Sequence, residues 1–157
     1  MSNNLVYKKA TLEDAALLAA LRVEFLEDFF GRQGNAERQT LIGELELYFK
    51  EHLAGNYISF MAFSDNEAVG VGAMIVRWQP GNFKNPSGRS AYLLNMYTKP
   101  HWRRRGICKK ILDLLVTEAR TMGLGLLELH STQDGELVYP AWGFALHPEP
   151  TYRLYLK

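Results

Sequence analysis

One strand–turn–helix–strand unit constrains the fold of this chain more than any other part of its sequence. The apolar run from Ser90 to Thr98 has the composition of a strand that is buried on both faces. After it come a basic turn and a helix whose apolar side chains recur at helical spacing until Gly123 ends it. A second apolar run, from Leu126 to His130, follows at once. Because such crossovers are almost always right-handed, the two runs are predicted to be neighbouring parallel strands if they pair.

The rest of the chain alternates between the two periodicities that distinguish strands from helices. In chain order, the further elements predicted are a strand at 5–9, a helix capped at Thr11 that runs to 30, a helix after 35 that stops at 55, a hairpin of strands 57–63 and 68–78, a short helix at 135–142, and terminal strands at 144–146 and 152–156. This order predicts a single α/β domain with a mixed sheet over residues 1–157.

Composition limits what this domain can do. With 157 residues and 47% hydrophobic content, the chain can bury a core without disulfide bonds. Its 18 Lys and Arg residues nearly balance 17 Asp and Glu residues, and a net charge of +1 argues against a dedicated nucleic-acid binder. The one cysteine suits a reducing compartment, and we find neither a signal-peptide pattern nor an apolar run of transmembrane length. We therefore expect a cytoplasmic protein without a membrane partner.

The turn PHWRRRGICKK at 100–110 concentrates positive charge around a single glycine. The first turn of the helix that follows has backbone N–H groups without helical acceptors, and the helix dipole adds positive potential there, which favours anion binding. Gly106 would let a phosphate approach the backbone because it has no Cβ. Neither a Walker P-loop nor a three-glycine dinucleotide fingerprint is present. The alternative is a solvated basic turn, which is the commonest role of basic triplets in loops.

The residues on either side of this turn favour the ligand-binding interpretation. The stretch NMYTKPHWRRRGICKKIL resembles motif A of the GNAT superfamily of acyl-CoA-dependent N-acetyltransferases, with Arg103, Gly106 and Cys108 in its three signature positions. The later stretch from Leu129 to Phe144, LHSTQDGELVYPAWGF, is similar to the second signature of that family, a strand and short helix that end in Tyr-x-x-x-Gly-Phe. The resemblance covers nearly the whole chain. It implies the GNAT fold, a mixed and mostly antiparallel sheet of six to seven strands with about four helices, in which the parallel central pair splays apart to admit CoA.

The resemblance also implies that acetyl-CoA is the co-substrate and that the basic turn holds its pyrophosphate. Backbone amides from Arg104 to Cys108 are expected to bind the pyrophosphate, with added charge from Arg103 or Arg105. The backbone of Met96 and Thr98 is expected to pair with the pantetheine amides. The predicted CoA-binding residues are Met96, Tyr97, Thr98, Arg103, Arg104, Arg105, Gly106, Ile107 and Cys108.

Tyr139 is the residue that we predict to act in catalysis. The resemblance implies that a primary amine attacks the thioester directly in a ternary complex. A phenol near the sulfur can protonate the leaving thiolate as a general acid. The oxyanion would meet a strand amide near Met96 or Tyr97. The alternative for Tyr139 is a tyrosine that only packs in the core.

No general base is identified in the sequence. The strand from Ser90 to Thr98 contains no acidic side chain, and Asn95 cannot accept a proton. Glu128 and His130 share one face of the next strand, so either could act through a water molecule. A structural role is equally open for each of them, and many members of the family rely on ordered water.

The amine acceptor, a small molecule or a peptide, is expected to bind near the first two helices. Three acids cluster near the end of helix one beside two phenylalanines, an arrangement that suits a cationic amine. Acids on a helix are, however, mostly part of a solvated face. The predicted substrate-binding residues are Glu24, Glu27, Asp28, Glu128 and His130. The identity of the acceptor and the formation of a homodimer stay open.

Two other functions stay open at this stage. A catalytically inactive CoA-binding module or sensor is compatible with the missing strand acid and with Cys108, which stands where the family prefers glycine or alanine. A nucleic-acid binder using the patch from Arg103 to Arg105 would bind any duplex with strong salt dependence, but no nucleic-acid partner is expected at this net charge. No metal is expected either, because the histidines lack ligand spacing; they are His52, His101, His130 and His147.

Overall fold

The structure is a computed structural model that describes residues 4–131 and 139–156. Five strands form one sheet in the order β1-β2-β3-β4-β5. The strands are β1 (Leu5–Lys9), β2 (Tyr57–Ser64), β3 (Glu67–Trp78), β4 (Arg89–Thr98) and β5 (Leu126–Leu129). The helices are α1 (Ala15–Phe30), α2 (Asn35–His52) and α3 (Ile107–Thr121), and single 3-10 turns lie at Leu12–Asp14, Pro100–Trp102 and Tyr139–Trp142. All strand pairs are antiparallel except β4 and β5, which run parallel as the sequence predicts.

The ends of the helices follow from local sequence. The Asp14 carboxylate accepts a hydrogen bond of 2.8 Å from the Thr11 amide, which caps the turn that leads into α1. Gly31, with a φ of +94°, ends α1. Gly106 precedes α3 at a φ of +80°, and Gly123 follows its end at +72°. Left-handed backbone of this kind favours glycine because a Cβ would be strained there.

The sheet separates two apolar layers. On one face, α1 and α2 bury side chains such as Leu18 and Phe49 against β2 and β4. On the other face, α3 packs Ile107 and Ile111 against the sheet. A Cβ at Gly72 would lie 2.7 Å from Ile111 Cγ2, so the close approach of α3 depends on this glycine. Among the described residues, no helix is both long enough and apolar enough to cross a membrane.

A β-bulge interrupts β4 near its end. Val71 lies opposite Tyr97, whereas Ala73 lies opposite Leu94, so that β4 has one more residue than β3 across this interval. Asn95, within the bulge, has a φ of +58°. Asparagine tolerates this conformation better than most residues do.

The parallel pair is short. β5 pairs with β4 only from Ser90 opposite Leu126 to Leu93 opposite Leu129. From residue 94 to 98, β4 has no strand partner on that side in the part of the chain that the structure describes. The backbone groups of this part of β4 that face the β5 side therefore have no strand partner among the described residues, and the segment leads directly into the basic turn.

Two expectations about the fold are wrong. The sheet has five strands, because no strand forms at 144–146 or 152–156. The side-chain pattern of these two segments favours strands but cannot supply the partner strand that a ladder needs. Most side chains of this segment are exposed, with Leu146 at 97% and Tyr152 at 90%, whereas Phe144 is partly buried on the α3 side.

The expected fourth helix is also not formed as predicted. Only the 3-10 turn at Tyr139–Trp142 is observed, and residues 135–138 of that prediction lie outside the described residues. The described chain therefore has three α-helices rather than about four.

Candidate functional site

The turn between β4 and α3 has a backbone suited to an anion. Arg104 (φ +62°) and Gly106 (φ +80°) are both left-handed. Alternating backbone of this kind directs successive N–H groups to one side, as in the nests that hold phosphates. Among the described residues, no side chain caps the N-terminus of α3, and apart from its chain neighbours no heavy atom lies within 4 Å of a Cβ built on Gly106. The space beside Gly106 is therefore free of described atoms.

Four basic side chains around this turn are exposed and make no ion pair with any described residue: Arg104, Arg105, Lys109 and Lys110. The Arg105 guanidinium lies 4.7 Å from the centre of the Trp102 ring. An anion bound at the turn would meet this concentrated positive charge.

Arg103 has a different orientation from its neighbours. Its Nη2 donates a hydrogen bond of 2.7 Å to Asp28 on α1, and its Nε donates one of 2.9 Å to the Thr98 carbonyl. The guanidinium also lies 5.8 Å from the centre of the Tyr97 ring. Arg103 therefore ties the turn to α1 and to the end of β4.

The three predicted strand residues divide between the two faces of the sheet. Met96 packs on the α3 side, while Tyr97 is buried on the α1 side with its ring edge-on to Phe25 at 5.4 Å. Burial raises the pKa of Tyr97 to about 12. The Thr98 hydroxyl is buried and has no hydrogen-bond partner among the described residues.

Tyr139 lies next to the helix start. Its half-buried ring packs in the core on the α3 side and meets Phe144 edge-on, with ring centres 5.9 Å apart. Burial, and then the charge of a nearby Cys108 thiolate, raise the pKa of Tyr139 to about 12. Burial likewise raises the pKa of the Cys108 thiol. At neutral pH, both side chains are therefore protonated, and the phenol is a proton donor beside the turn.

Each of the three predicted acids on α1 has a partner. Glu24 accepts a hydrogen bond of 3.4 Å from the Tyr97 hydroxyl and lies 3.9 Å from Lys99 Nζ. Asp28 binds Arg103.

Glu27 holds the connection between α1 and α2. It accepts hydrogen bonds from the Gln33 amide at 2.9 Å and from Arg38 Nε at 3.0 Å. The Gln33 hydrogen bond and the Arg38 charge hold the pKa of Glu27 below its usual value. Each of the three acids thus contacts at least one other protein group.

Glu128 and His130 lie at the end of β5, where the parallel pair stops. The Nδ1 atom of His130 is 2.7 Å from the Tyr92 hydroxyl, and its Nε2 atom is 3.3 Å from the Thr151 hydroxyl. Glu128 is exposed and lies opposite Tyr92 in the register of the two strands. His130, one residue beyond β5, is therefore oriented by two hydroxyl groups.

The sequence matches the model of the acetyltransferase (GNAT) family over residues 18–144. The chain belongs to the GNAT acetyltransferase family. In structure it is similar to a predicted acetyltransferase with acetyl-CoA from Clostridium acetobutylicum, at 30% identity and a TM-score of 0.87, with 96% of each chain covered. No curated protein matches the sequence significantly.

Two more distant structures share the GNAT fold. A GCN5-related N-acetyltransferase from Ralstonia eutropha has 18% identity and a TM-score of 0.84, and the match covers 96% of this chain and 99% of that one. An aminoglycoside acetyltransferase from an uncultured soil metagenomic sample has 16% identity and a TM-score of 0.75, with coverage of 98% and 99%. At these identities, the likeness concerns the fold alone.

In this GNAT domain, sequence reasoning missed the β-bulge at Asn95. The residue is 4% exposed, lies beside the Tyr57 phenol, and makes no side-chain hydrogen bond of normal geometry with any described residue. A polar residue within the apolar run SAYLLNMYT was the available signal, but its backbone conformation depends on pairing with β3. Within residues 4–131 and 139–156, no cluster of three or more His, Cys, Asp or Glu side chains has the arrangement of a metal site.

Proposed function

We propose that this GNAT-family protein transfers the acetyl group of acetyl-CoA to a primary amine by direct attack in a ternary complex. The observation that carries the proposal is the open part of β4, which leads straight into the turn at Arg104 and Gly106. A ligand that suits both features needs amides for the strand and a phosphate group for the turn. Acyl-CoA has both, in its pantetheine arm and its pyrophosphate.

The residues present fit such a ligand. The backbone of Met96 and Thr98 would pair with the pantetheine amides, because this part of β4 has no described strand partner on the β5 side. Amides from Arg104 to Cys108 would bind the pyrophosphate in the open space at Gly106. When bound, acetyl-CoA supplies the thioester whose acyl group is transferred.

Charge at the pyrophosphate would come from Arg104, Arg105, Lys109 and Lys110, which have no described acidic partner. Arg103 has a supporting role in this proposal, because both Asp28 and the Thr98 carbonyl engage its guanidinium. It would hold the turn at the right place relative to the end of β4.

Tyr139 would be the general acid. Its phenol is protonated at neutral pH, so it can hydrogen-bond to the departing CoA thiolate and give it a proton that solvent then replaces. Cys108 would be a small side chain that the ligand passes, since burial disfavours the thiolate that a nucleophile requires. A backbone amide of the bulge, near Met96 or Tyr97, would stabilise the oxyanion.

The attacking amine must also lose a proton. Glu128 and His130 are candidates to receive it through water, and His130 is the better oriented because two hydroxyl groups hold its ring. Substituting each residue separately by glutamine and comparing the pH dependence of turnover would show whether either acts as the base.

The test combines binding with turnover. Isothermal titration calorimetry should show that the protein binds acetyl-CoA, and release of free CoA thiol should depend on an amine from a broad acceptor panel. Binding without release for any amine would indicate an inactive CoA-binding module. Binding of duplex DNA that CoA does not displace would contradict the assignment of the turn to CoA.

A further inference from the structure

A tyrosine on β4 and a histidine just beyond β5 form a hydrogen-bonded pair where the parallel pairing ends. The Tyr92 hydroxyl lies 2.7 Å from Nδ1 of His130, and the centres of the two rings are 5.5 Å apart. Leu93 opposite Leu129 is the last pair of the parallel ladder, so Tyr92 comes just before that end and His130 just after it. The two side chains therefore meet where β4 loses its strand partner among the described residues.

The Tyr92 ring leans along the sheet toward this end of the ladder. Tyr92 lies opposite Glu128 in the register, yet its hydroxyl meets His130, two residues further along the chain. Because β4 and β5 run parallel, the same direction leads along β4 toward the bulge at Asn95. The hydroxyl is therefore directed toward the bulge amides that the proposed function assigns to the oxyanion.

The pair lies on the α1 side of the sheet, opposite the proposed general acid. Leu93 packs on the α3 side, and successive residues of a strand alternate between the two faces, so Tyr92 belongs to the α1 side. His130 lies on that side as well, because its ring contacts Tyr92. Tyr139, by contrast, packs on the α3 side. A proton taken from an acceptor by the pair and a proton given by Tyr139 would therefore move on opposite faces of the sheet.

Solvent and a small amine can reach this pair, since His130 is exposed and Tyr92 is only partly buried. Nε2 of His130 lies 3.3 Å from the Thr151 hydroxyl, so both nitrogens of the imidazole are engaged. Two charged groups face the pair from the neighbouring strands. The Arg77 guanidinium lies 4.5 Å from the centre of the Tyr92 ring, a contact that helps to fix the ring, and Glu128 is opposite Tyr92. A proton can therefore reach the imidazole through the Tyr92 hydroxyl.

We propose that Tyr92 and His130 form a proton relay that deprotonates the acceptor amine, with the Tyr92 hydroxyl as its entry point. The acceptor ammonium gives a proton through one water molecule to the Tyr92 oxygen, while the phenol passes its own proton to Nδ1 of His130. The products are a neutral amine, an unchanged phenol and an imidazolium, which then releases one proton to solvent and becomes neutral again. This inference rests on the proposed function and specifies a basic primary amine, protonated at neutral pH, as its substrate class.

The test compares ethylamine with methoxyamine, two amines of nearly the same shape of which only ethylamine is protonated at neutral pH. A larger acceptor found in the amine panel is paired with its aminooxy analogue in the same way, and CoA thiol release is measured for both members of each pair. Tyr92→Phe should lower kcat/KM for the protonated amine by about 100-fold or more and leave that for the neutral amine within about three-fold. His130→Gln should give the same selective loss, and the double variant should lose no more than either single variant, because both residues act in one relay.

The controls separate a loss of the relay from a loss of structure. Tyr7→Phe changes a partly buried tyrosine on β1, at the opposite edge of the sheet, and should leave the rates for both amines unchanged. Unchanged acetyl-CoA affinity shows that a variant is folded, and His130→Gln carries the test if Tyr92→Phe is not. NMR spectra of the imidazole nitrogens, with the His130 signals identified by His130→Gln, add a measurement that needs no acceptor. Neutral His130 should carry its proton on Nε2, because the Tyr92 hydroxyl donates to Nδ1.

Three results would overturn the inference. They are equal losses for the protonated and the neutral amine in Tyr92→Phe, unchanged rates for both, and a neutral His130 that carries its proton on Nδ1, since the Tyr92 hydroxyl would then accept a hydrogen bond rather than donate one. The proposed function is judged separately on the wild-type protein. Release of CoA thiol with any amine upholds acetyl transfer even where the relay fails, whereas no release with every amine of the panel refutes both.

Discussion

Arg103 and Asp28 form a hydrogen-bonded ion pair of 2.7 Å that joins the turn before α3 to the end of α1. Both side chains are partly exposed, and water therefore weakens their attraction. Asp28→Asn is expected to lower the free energy of unfolding by less than about 1 kcal/mol in urea titrations. Acetyl-CoA affinity should stay within about three-fold, because Arg103 still binds the Thr98 carbonyl. A ten-fold loss would show that the pair itself organises the CoA site.

Gly106→Ala tests whether the backbone at the turn binds an anion. Alanine at a φ of +80° should cost about 1–2 kcal/mol of stability, and its Cβ would enter the open space before the amides. Gly123→Ala is the matched control, since Gly123 also has a positive φ and open space around it but lies at the other end of α3. Both variants should be destabilised similarly in thermal unfolding. Only Gly106→Ala should weaken acetyl-CoA binding. Equal acetyl-CoA affinity in the two variants would contradict the proposal that the amides from Arg104 to Cys108 bind the pyrophosphate.

Tyr139→Phe tests the general acid. Loss of the hydroxyl should lower kcat by about 100-fold or more while acetyl-CoA affinity, measured by calorimetry, changes little. Tyr152→Phe, at an exposed tyrosine, is the control. Turnover of Tyr139→Phe at the wild-type rate would remove this residue from the mechanism.

The pH profile gives an independent check on Tyr139. Because the phenol has a pKa of about 12, its acid form persists as the pH rises, and activity is lost only when the pH approaches that value. The wild-type enzyme should therefore show no fall in kcat due to Tyr139 below about pH 10. If kcat of the wild-type enzyme fell around neutral pH, and that of Tyr139→Phe did not, the result would contradict the raised pKa of Tyr139.

Cys108→Ala tests the role of the thiol. Because burial raises the thiol pKa, little thiolate exists at neutral pH, and direct transfer does not need it. The variant should keep turnover within about three-fold of the wild type, and iodoacetamide should modify Cys108 slowly at pH 7. An acetylated Cys108 detected by mass spectrometry during turnover would contradict direct transfer.

Glu27→Gln tests the link between α1 and α2. The pKa of Glu27 is lowered in the folded state, so its ionised form adds stability above the unfolded-state pKa, and this stability is lost as the pH falls through the folded value. The difference in unfolding free energy between wild type and variant should be constant above about pH 6 and shrink below about pH 4. Glu44→Gln on the exposed face of α2 is the control for replacing a carboxylate by an amide, since Glu44 makes no ion pair with a described residue.

Local sequence was sufficient for most of the fold. The strand Arg89–Thr98, the helix Ile107–Thr121 and the strand Leu126–Leu129 agree with the predicted elements to within a residue or two, because periodicity and glycine stops are local properties. The terminal strands were predicted wrongly because the formation of a strand is not a local property. A strand needs a neighbour with free backbone groups, and alternation in one segment does not determine whether that neighbour exists.

Some features of the candidate site could be predicted from local sequence, and others depend on tertiary packing. Chain order alone predicts that a basic, glycine-containing turn starts a helix after a buried strand, since these residues are next to one another in the sequence. The contact of Arg103 with Asp28 and the position of Tyr139 near Cys108 became known only from the packing of the elements. These relationships join residues far apart in the chain, so they depend on how the helices pack on the sheet, which local patterns do not specify.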